Sequence, residues 1–118
     1  PNEVVANRVV GDVKGRSCIL VDDMIDTAGT ITKAADALLA AGADDVIIAA
    51  THAILSGPAI DRLKNCNARE VIVTNTLPIP PERHFDKLTE LSIAPLLSQA
   101  IREVFEDGSV ASLFDPPN

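Results

Sequence analysis

The sequence contains no tryptophan, no tyrosine and three phenylalanines among its 118 residues. A core must therefore be assembled from Val, Ile, Leu and Ala, and there is no aromatic platform on which single-stranded bases or sugars could stack. Cysteine is equally scarce: Cys18 lies in an apolar run and Cys66 near a turn. Two isolated thiols exclude a disulfide scaffold and a paired-cysteine metal site, and predict free thiols in a reducing, cytoplasmic compartment. No apolar stretch approaches the roughly 18 residues of a membrane span, and no basic segment followed by an apolar one opens the chain, so a soluble protein is expected. Basic residues are also in deficit, ten Lys and Arg against seventeen Asp and Glu, for a net charge of -7. Such a domain repels nucleic acid and anionic lipid. Any phosphate it binds must be held locally, by backbone amides, Mg²⁺ or cations brought by another segment. An initiator Met is missing too, and Pro1-Asn2-Glu3 reads as a cut through something longer.

What remains is 47% hydrophobic and 23% charged, the balance of one globular domain spanning residues 1–118. At this length about two thirds of the unfolded surface can be buried without disulfide or metal staples. Residues 17–21 form an apolar run ending in Asp22 and Asp23, the pattern of a strand buried on both faces of a parallel sheet. A short loop of small residues follows. Ile31, Ala34, Ala35 and Leu38 then recur at helical spacing, and Gly42 supplies a stop. The alternation repeats, with a strand at 45–50, a short helix at 58–64 and a third strand at 70–74. Residues 75–83 carry Pro78, Pro80 and Pro81 and should form a surface loop with a helical turn from Glu82. A fourth strand at 88–92 and an amphipathic helix at 95–105 complete the pattern, before an apolar tail at 109–114 that should dock on a neighbour. The expected fold is α/β, an open, mostly parallel sheet of about five strands flanked by helices.

In such sheets ligands bind beyond the carboxyl ends of strands. The loop there reads Asp22-Asp23-Met24-Ile25-Asp26-Thr27-Ala28-Gly29-Thr30. A chain turning tightly into a helix can aim successive N–H groups at one anion, aided by the positive end of the helix dipole. Thr27 and Thr30 add hydroxyl donors, while Asp22 and Asp23 suit ligand hydroxyls or a bound Mg²⁺. Together these groups describe a site for a sugar phosphate. Ordinary helix capping is the bland alternative, but a cap needs one such residue and not the whole string. Neither G-x-x-x-x-G-K-[ST] nor G-x-G-x-x-G is present. A receiver domain would need an Asp and a Lys at later strand ends, where this chain has Thr51-His52 and Thr74-Asn75.

The string resembles the motif for 5-phosphoribosyl 1-diphosphate (PRPP) found in type I phosphoribosyltransferases and PRPP synthetases. Ala-Thr-His-Ala-Ile-Leu-Ser-Gly-Pro-Ala at 50–59, Val-Thr-Asn-Thr-Leu-Pro-Ile-Pro at 73–80, Leu-Ser-Ile-Ala-Pro-Leu-Leu at 91–97 and Gly-Ser-Val-Ala-Ser-Leu-Phe at 108–114 are similar to the carboxyl-terminal half of the ribose-phosphate pyrophosphokinase family. The resemblance implies that Asp22, assisted by Asp23, holds ribose hydroxyls while Asp26, Thr27, Ala28, Gly29 and Thr30 wrap the 5-phosphate. It implies transfer of a diphosphoryl group from ATP to ribose 5-phosphate, giving PRPP and AMP, with Mg²⁺ as cofactor. It further implies a homo-oligomer, a hexamer, with Ser109 and Phe114 contributing to an allosteric site for ADP or phosphate. Ala28 stands where many phosphoribosyltransferases carry Gly, a change expected to cost phosphate binding nothing. Catalytic Lys and Arg are expected on an arm preceding Pro1, together with an amino-terminal half for ATP. Without them, a few hydrogen bonds support micromolar to millimolar binding but not the at least about 8 kcal/mol that catalysis requires. A phosphoribosyltransferase and a non-catalytic synthetase-associated module are the rivals. His52, at a strand end on the same edge, is left open between ligand contact and a local backbone partner; His84, Arg62 and Arg69 are expected to be solvated.

Overall fold

The computed structural model describes residues 11–116. The strands are β1 (Ser17–Ile25), β2 (Asp45–Ala53), β3 (Glu70–Thr74) and β4 (Leu88–Leu91), all parallel and laid side by side in chain order. Between them run α1 (Gly29–Ala40) and α2 (Ala59–Asn65), and after β4 comes α3 (Ala94–Phe105). Short 3₁₀ turns occupy Pro81–Arg83 and Val110–Phe114. Gly42 ends α1 as expected: its φ of 104° lets the N–H groups of Gly42 and Ala43 close on the carbonyls of Leu39 and Leu38.

Strands that advance in one direction through right-handed crossovers place their helices on one side of the sheet. Accordingly Val46, Ile48, Ala50, Val71 and Val73 are buried in one cluster with Ala35 of α1 and Ala59 and Leu63 of α2. The opposite face is open, with Ile19 64% and Val21 78% exposed. The expectation that residues 17–21 are covered on both faces is therefore corrected for the described residues; apolar composition alone does not say what covers a face. The strand is also longer than the apolar run, since Asp22 to Ile25 continue pairing in register with β2. Main-chain hydrogen bonds tolerate any side chain at a strand end.

The helix at the carboxyl end has the expected amphipathic face, yet no residue of α3 is buried, and Phe105 is 88% exposed. The tail packs on α3 through the Val110–Phe114 turn and leaves Phe114 exposed. Leu63→Ala should therefore lower the free energy of unfolding by about 3 kcal/mol in urea titrations. Phe105→Ala should stay within about 0.5 kcal/mol of the parent.

Candidate functional site

The carboxyl edge is built from two loops bonded to each other. The Ile25 carbonyl, at the end of β1, accepts hydrogen bonds from the N–H groups of Ile54 (3.1 Å) and Leu55 (3.0 Å), and the Asp26 carbonyl accepts from Ser56 N–H (2.9 Å). The Ser56 hydroxyl donates to the Asp26 carboxylate. Leu55 is buried with φ 54°, a conformation costly for a non-glycine residue, and Arg83 from the Pro81–Arg83 turn donates to its carbonyl. The first loop cannot move without the second.

From Asp26 the chain turns into α1 through Ala28, which adopts φ 65° and ψ 7° in the left-handed region and caps the helix with no side-chain hydrogen bond. Its carbonyl takes two bonds from Thr32, one from N–H (3.2 Å) and one from the buried hydroxyl (2.6 Å). The N–H groups of Gly29, Thr30 and Ile31 lie in the first helical turn, where no intrahelical acceptor is available. The Thr27 carbonyl accepts from Arg62 Nη1 at 3.1 Å.

Asp22, Asp26, Thr27, Ala28, Gly29 and Thr30 line one hollow of about 130 Å³, together with Met24, Ile25 and Ile31. That volume equals about four waters at roughly 30 Å³ each, enough for a phosphate group and much smaller than the roughly 300–1,000 Å³ of a pocket that engulfs a drug-sized ligand. Asp23 does not line it: successive side chains of a strand point to opposite faces, and its N–H donates to Asp22 Oδ1 at 2.8 Å instead. No Lys or Arg lines the hollow, so the groups there that can attract an anion are N–H groups at the start of α1. Among the described residues, no group of three or more His, Cys, Asp or Glu could hold a metal ion. Mg²⁺ is commonly held by one or two carboxylates plus substrate phosphates and water, a requirement that Asp22 beside the hollow can meet.

Residues outside the string take part in ways the sequence reading did not assign. Ser56 and Arg83 brace the loop edge, and Arg62, expected to be solvated, reaches back over 35 positions to Thr27. The signals available for Ser56 were its place in the loop after β2, on the same sheet edge, and in the family-like segment at 50–59. Arg69 is largely exposed, in line with the expected solvated face, and pairs there with Asp45 at 2.7 Å. His52 is half-buried, and its Nδ1 lies 2.8 Å from Thr76 Oγ1, so its local partner is a hydroxyl and not backbone. His84 is exposed, with Nε2 3.2 Å from the Ile79 carbonyl. Cys18 and Cys66 are free thiols, as expected.

An open parallel sheet whose first loop forms a small hollow at a helix start defines an α/β chain of the kind whose ligands bind at the carboxyl edge of the sheet. The family model described as "Phosphoribosyl synthetase-associated domain" matches residues 2–115, and the chain belongs to that family. It is 67% identical over 115 residues to a ribose-phosphate pyrophosphokinase of Bifidobacterium longum, an alignment covering 98% of this chain and 34% of that protein. A ribose-phosphate pyrophosphokinase of Streptomyces avermitilis is 66% identical over 114 residues, covering 97% of this chain and 35% of its own length. Among solved structures, the crystal structure of phosphoribosylpyrophosphate synthetase from Mycobacterium smegmatis superposes with a TM-score of 0.83 at 64% identity, covering 90% of this chain and 36% of that one. The chain thus spans about a third of the length of the curated relatives it matches. No helix among the described residues is long and apolar enough to cross a membrane.

The conformation of Ala28 has a measurable consequence. A left-handed L-residue costs about 1–2 kcal/mol, and the buried methyl returns about 0.8 kcal/mol. Ala28→Gly should therefore change stability by no more than about 1 kcal/mol. Ala28→Val should destabilise by more than about 2 kcal/mol, because a β-branched side chain fits that region poorly. Urea denaturation of both variants distinguishes these outcomes.

Proposed function

We propose that this chain is the ribose 5-phosphate-binding part, corresponding to the carboxyl-terminal half, of a ribose-phosphate diphosphokinase. The observation that carries this reading is the single hollow that joins Asp22 to the turn at 26–30. The N–H groups of the turn and the Thr27 and Thr30 hydroxyls donate to the 5-phosphate. The Asp22 carboxylate accepts from ribose hydroxyls, which fixes the sugar and presents its 1-hydroxyl outward. In the whole protein that hydroxyl attacks the β-phosphorus of ATP, the bond to the α-phosphate oxygen breaks, and AMP leaves as PRPP forms. Asp22 is the carboxylate of this chain that would hold Mg²⁺ brought with the substrate phosphates, and the ion would supply charge neutralisation there. This chain positions the sugar.

The hollow has no Lys or Arg of its own, so the cations that stabilise the transferred diphosphoryl group come from the rest of the longer protein, and this chain alone is inactive. Asp26, bonded to Ser56, acts mainly by holding the turn, and Asp23 assists from the neighbouring position without entering the hollow. The open sheet face with Ile19 and Val21, and the apolar side of α3, are surfaces for the remainder of the protein and for homo-oligomer contacts, in a hexamer. Ser109 and Phe114, at the exposed turn on α3, belong to an allosteric site for ADP or phosphate in that assembly, and the whole protein works in the cytoplasm.

The description of the family model as an associated domain favours one second reading, a regulatory module that binds without catalysing. Such a module has no need of the hydroxyl-holding carboxylate. Calorimetric titration with ribose 5-phosphate should give saturable binding that Asp22→Ala weakens. Unchanged affinity in that variant removes the role assigned to Asp22 and favours the second reading. Thr30→Val should cost about 1–3 kcal/mol of affinity if its hydroxyl donates; a value within error of the parent means that backbone N–H groups make the cradle alone.

A further inference from the structure

Arg62 stands on α2, outside the hollow at 22–31, and lines instead a larger groove of about 370 Å³ between α1 and α2. The two hollows share Gly29. Arg62 is exposed, and an exposed arginine normally keeps its rotamer freedom. Here its Nη1 sits 3.1 Å from the Thr27 carbonyl oxygen, 35 positions away in sequence. A Cβ added at Gly29 would lie 3.0 Å from the same nitrogen, so the glycine leaves the guanidinium room for its approach.

We propose that Arg62 is a positioning residue for the anion-binding turn: it grips the Thr27 carbonyl from behind and so orients and polarises the peptide whose N–H belongs to Ala28. This rests on the sugar-phosphate reading of that turn. The peptide unit is planar and, like all those described, trans, so its C=O and N–H point in opposite directions. With the oxygen held on the Arg62 side, the Ala28 N–H is turned the other way, and Ala28 lines the loop hollow but not the groove. A cation on the oxygen draws electron density through the amide and makes the N–H a stronger donor. In a chain of net charge -7 this brings positive influence to the anion without a basic side chain in the hollow. Arg62 therefore acts through the backbone and does not itself touch the ligand.

The test compares Arg62→Ala, Arg62→Lys and Lys64→Ala in the full chain. Lys64 is exposed on the same helix and makes no hydrogen bond among the described residues, so Lys64→Ala removes the same unit of charge without touching the turn. In ligand-free ¹⁵N spectra the Ala28 amide nitrogen should move upfield in Arg62→Ala and remain in place in Lys64→Ala. The dissociation constant for ribose 5-phosphate should rise about tenfold in Arg62→Ala and less than about twofold in Lys64→Ala, with Arg62→Lys between them because a single ammonium keeps charge but loses the fork. Inorganic phosphate should follow the same order. Equal weakening by Arg62→Ala and Lys64→Ala would reduce the effect to overall charge and overturn the proposal, as would an Ala28 resonance indifferent to Arg62. If the parent chain binds no ribose 5-phosphate, the sugar-phosphate reading falls and takes the role in anion binding with it; the ligand-free Ala28 resonance still decides whether the grip exists. Should Arg62→Ala fail to fold, Arg62→Lys carries both readouts.

Discussion

The bonds between the ends of β1 and β2 are the constraint on which the carboxyl edge depends. One carbonyl, that of Ile25, takes the N–H groups of both Ile54 and Leu55, and the next residue, Asp26, takes Ser56 through its carbonyl and its carboxylate. Each bond contributes only about 0.5–1.5 kcal/mol net. They act on the same few residues, however, and oblige the turn into α1 to begin at a fixed place. That fixed start lets Ala28 remain left-handed without a glycine, since the surrounding contacts over-determine it. Thr32 completes the fixation from inside the helix by donating twice to the Ala28 carbonyl.

A rigid turn matters because this chain has little else with which to hold an anion. Its acidic excess works against phosphate, and the hollow has no basic side chain. What remains is the alignment of peptide dipoles at the start of a helix, an effect that falls off within the first turn and so depends on geometry. Asp22 lines the same hollow, where one oxygen of its carboxylate accepts the Asp23 N–H. Under the proposed reading, the N–H groups of the turn face the phosphate and the Asp22 carboxylate faces the sugar hydroxyls.

How much of this was legible in the sequence follows from the range of each interaction. The order of strands and helices was readable because it is written in local periodicity, as with Ile31, Ala34, Ala35 and Leu38 along α1. The turn at 26–30 was readable because all its parts are contiguous. The far side of the site was not. Ser56 lies 30 positions from Asp26 and Arg62 lies 35 from Thr27, and no local pattern records such pairings. Strand ends misled for a related reason: Asp22 and Asp23 end the apolar run, yet β1 continues to Ile25 because its hydrogen bonds belong to the main chain. Coverage of faces lay beyond reach as well. Val21 and Val46 are the same residue type in similar runs, and only the position of the helices leaves the first exposed and the second buried.

The most direct test is a crystal structure of the chain with ribose 5-phosphate bound. The expected result places the phosphate in the hollow at the start of α1, accepting from the N–H groups of Ala28, Gly29 and Thr30, with the ribose hydroxyls on Asp22. A phosphate seated instead in the groove between α1 and α2, between Lys33 and Arg62, would contradict it.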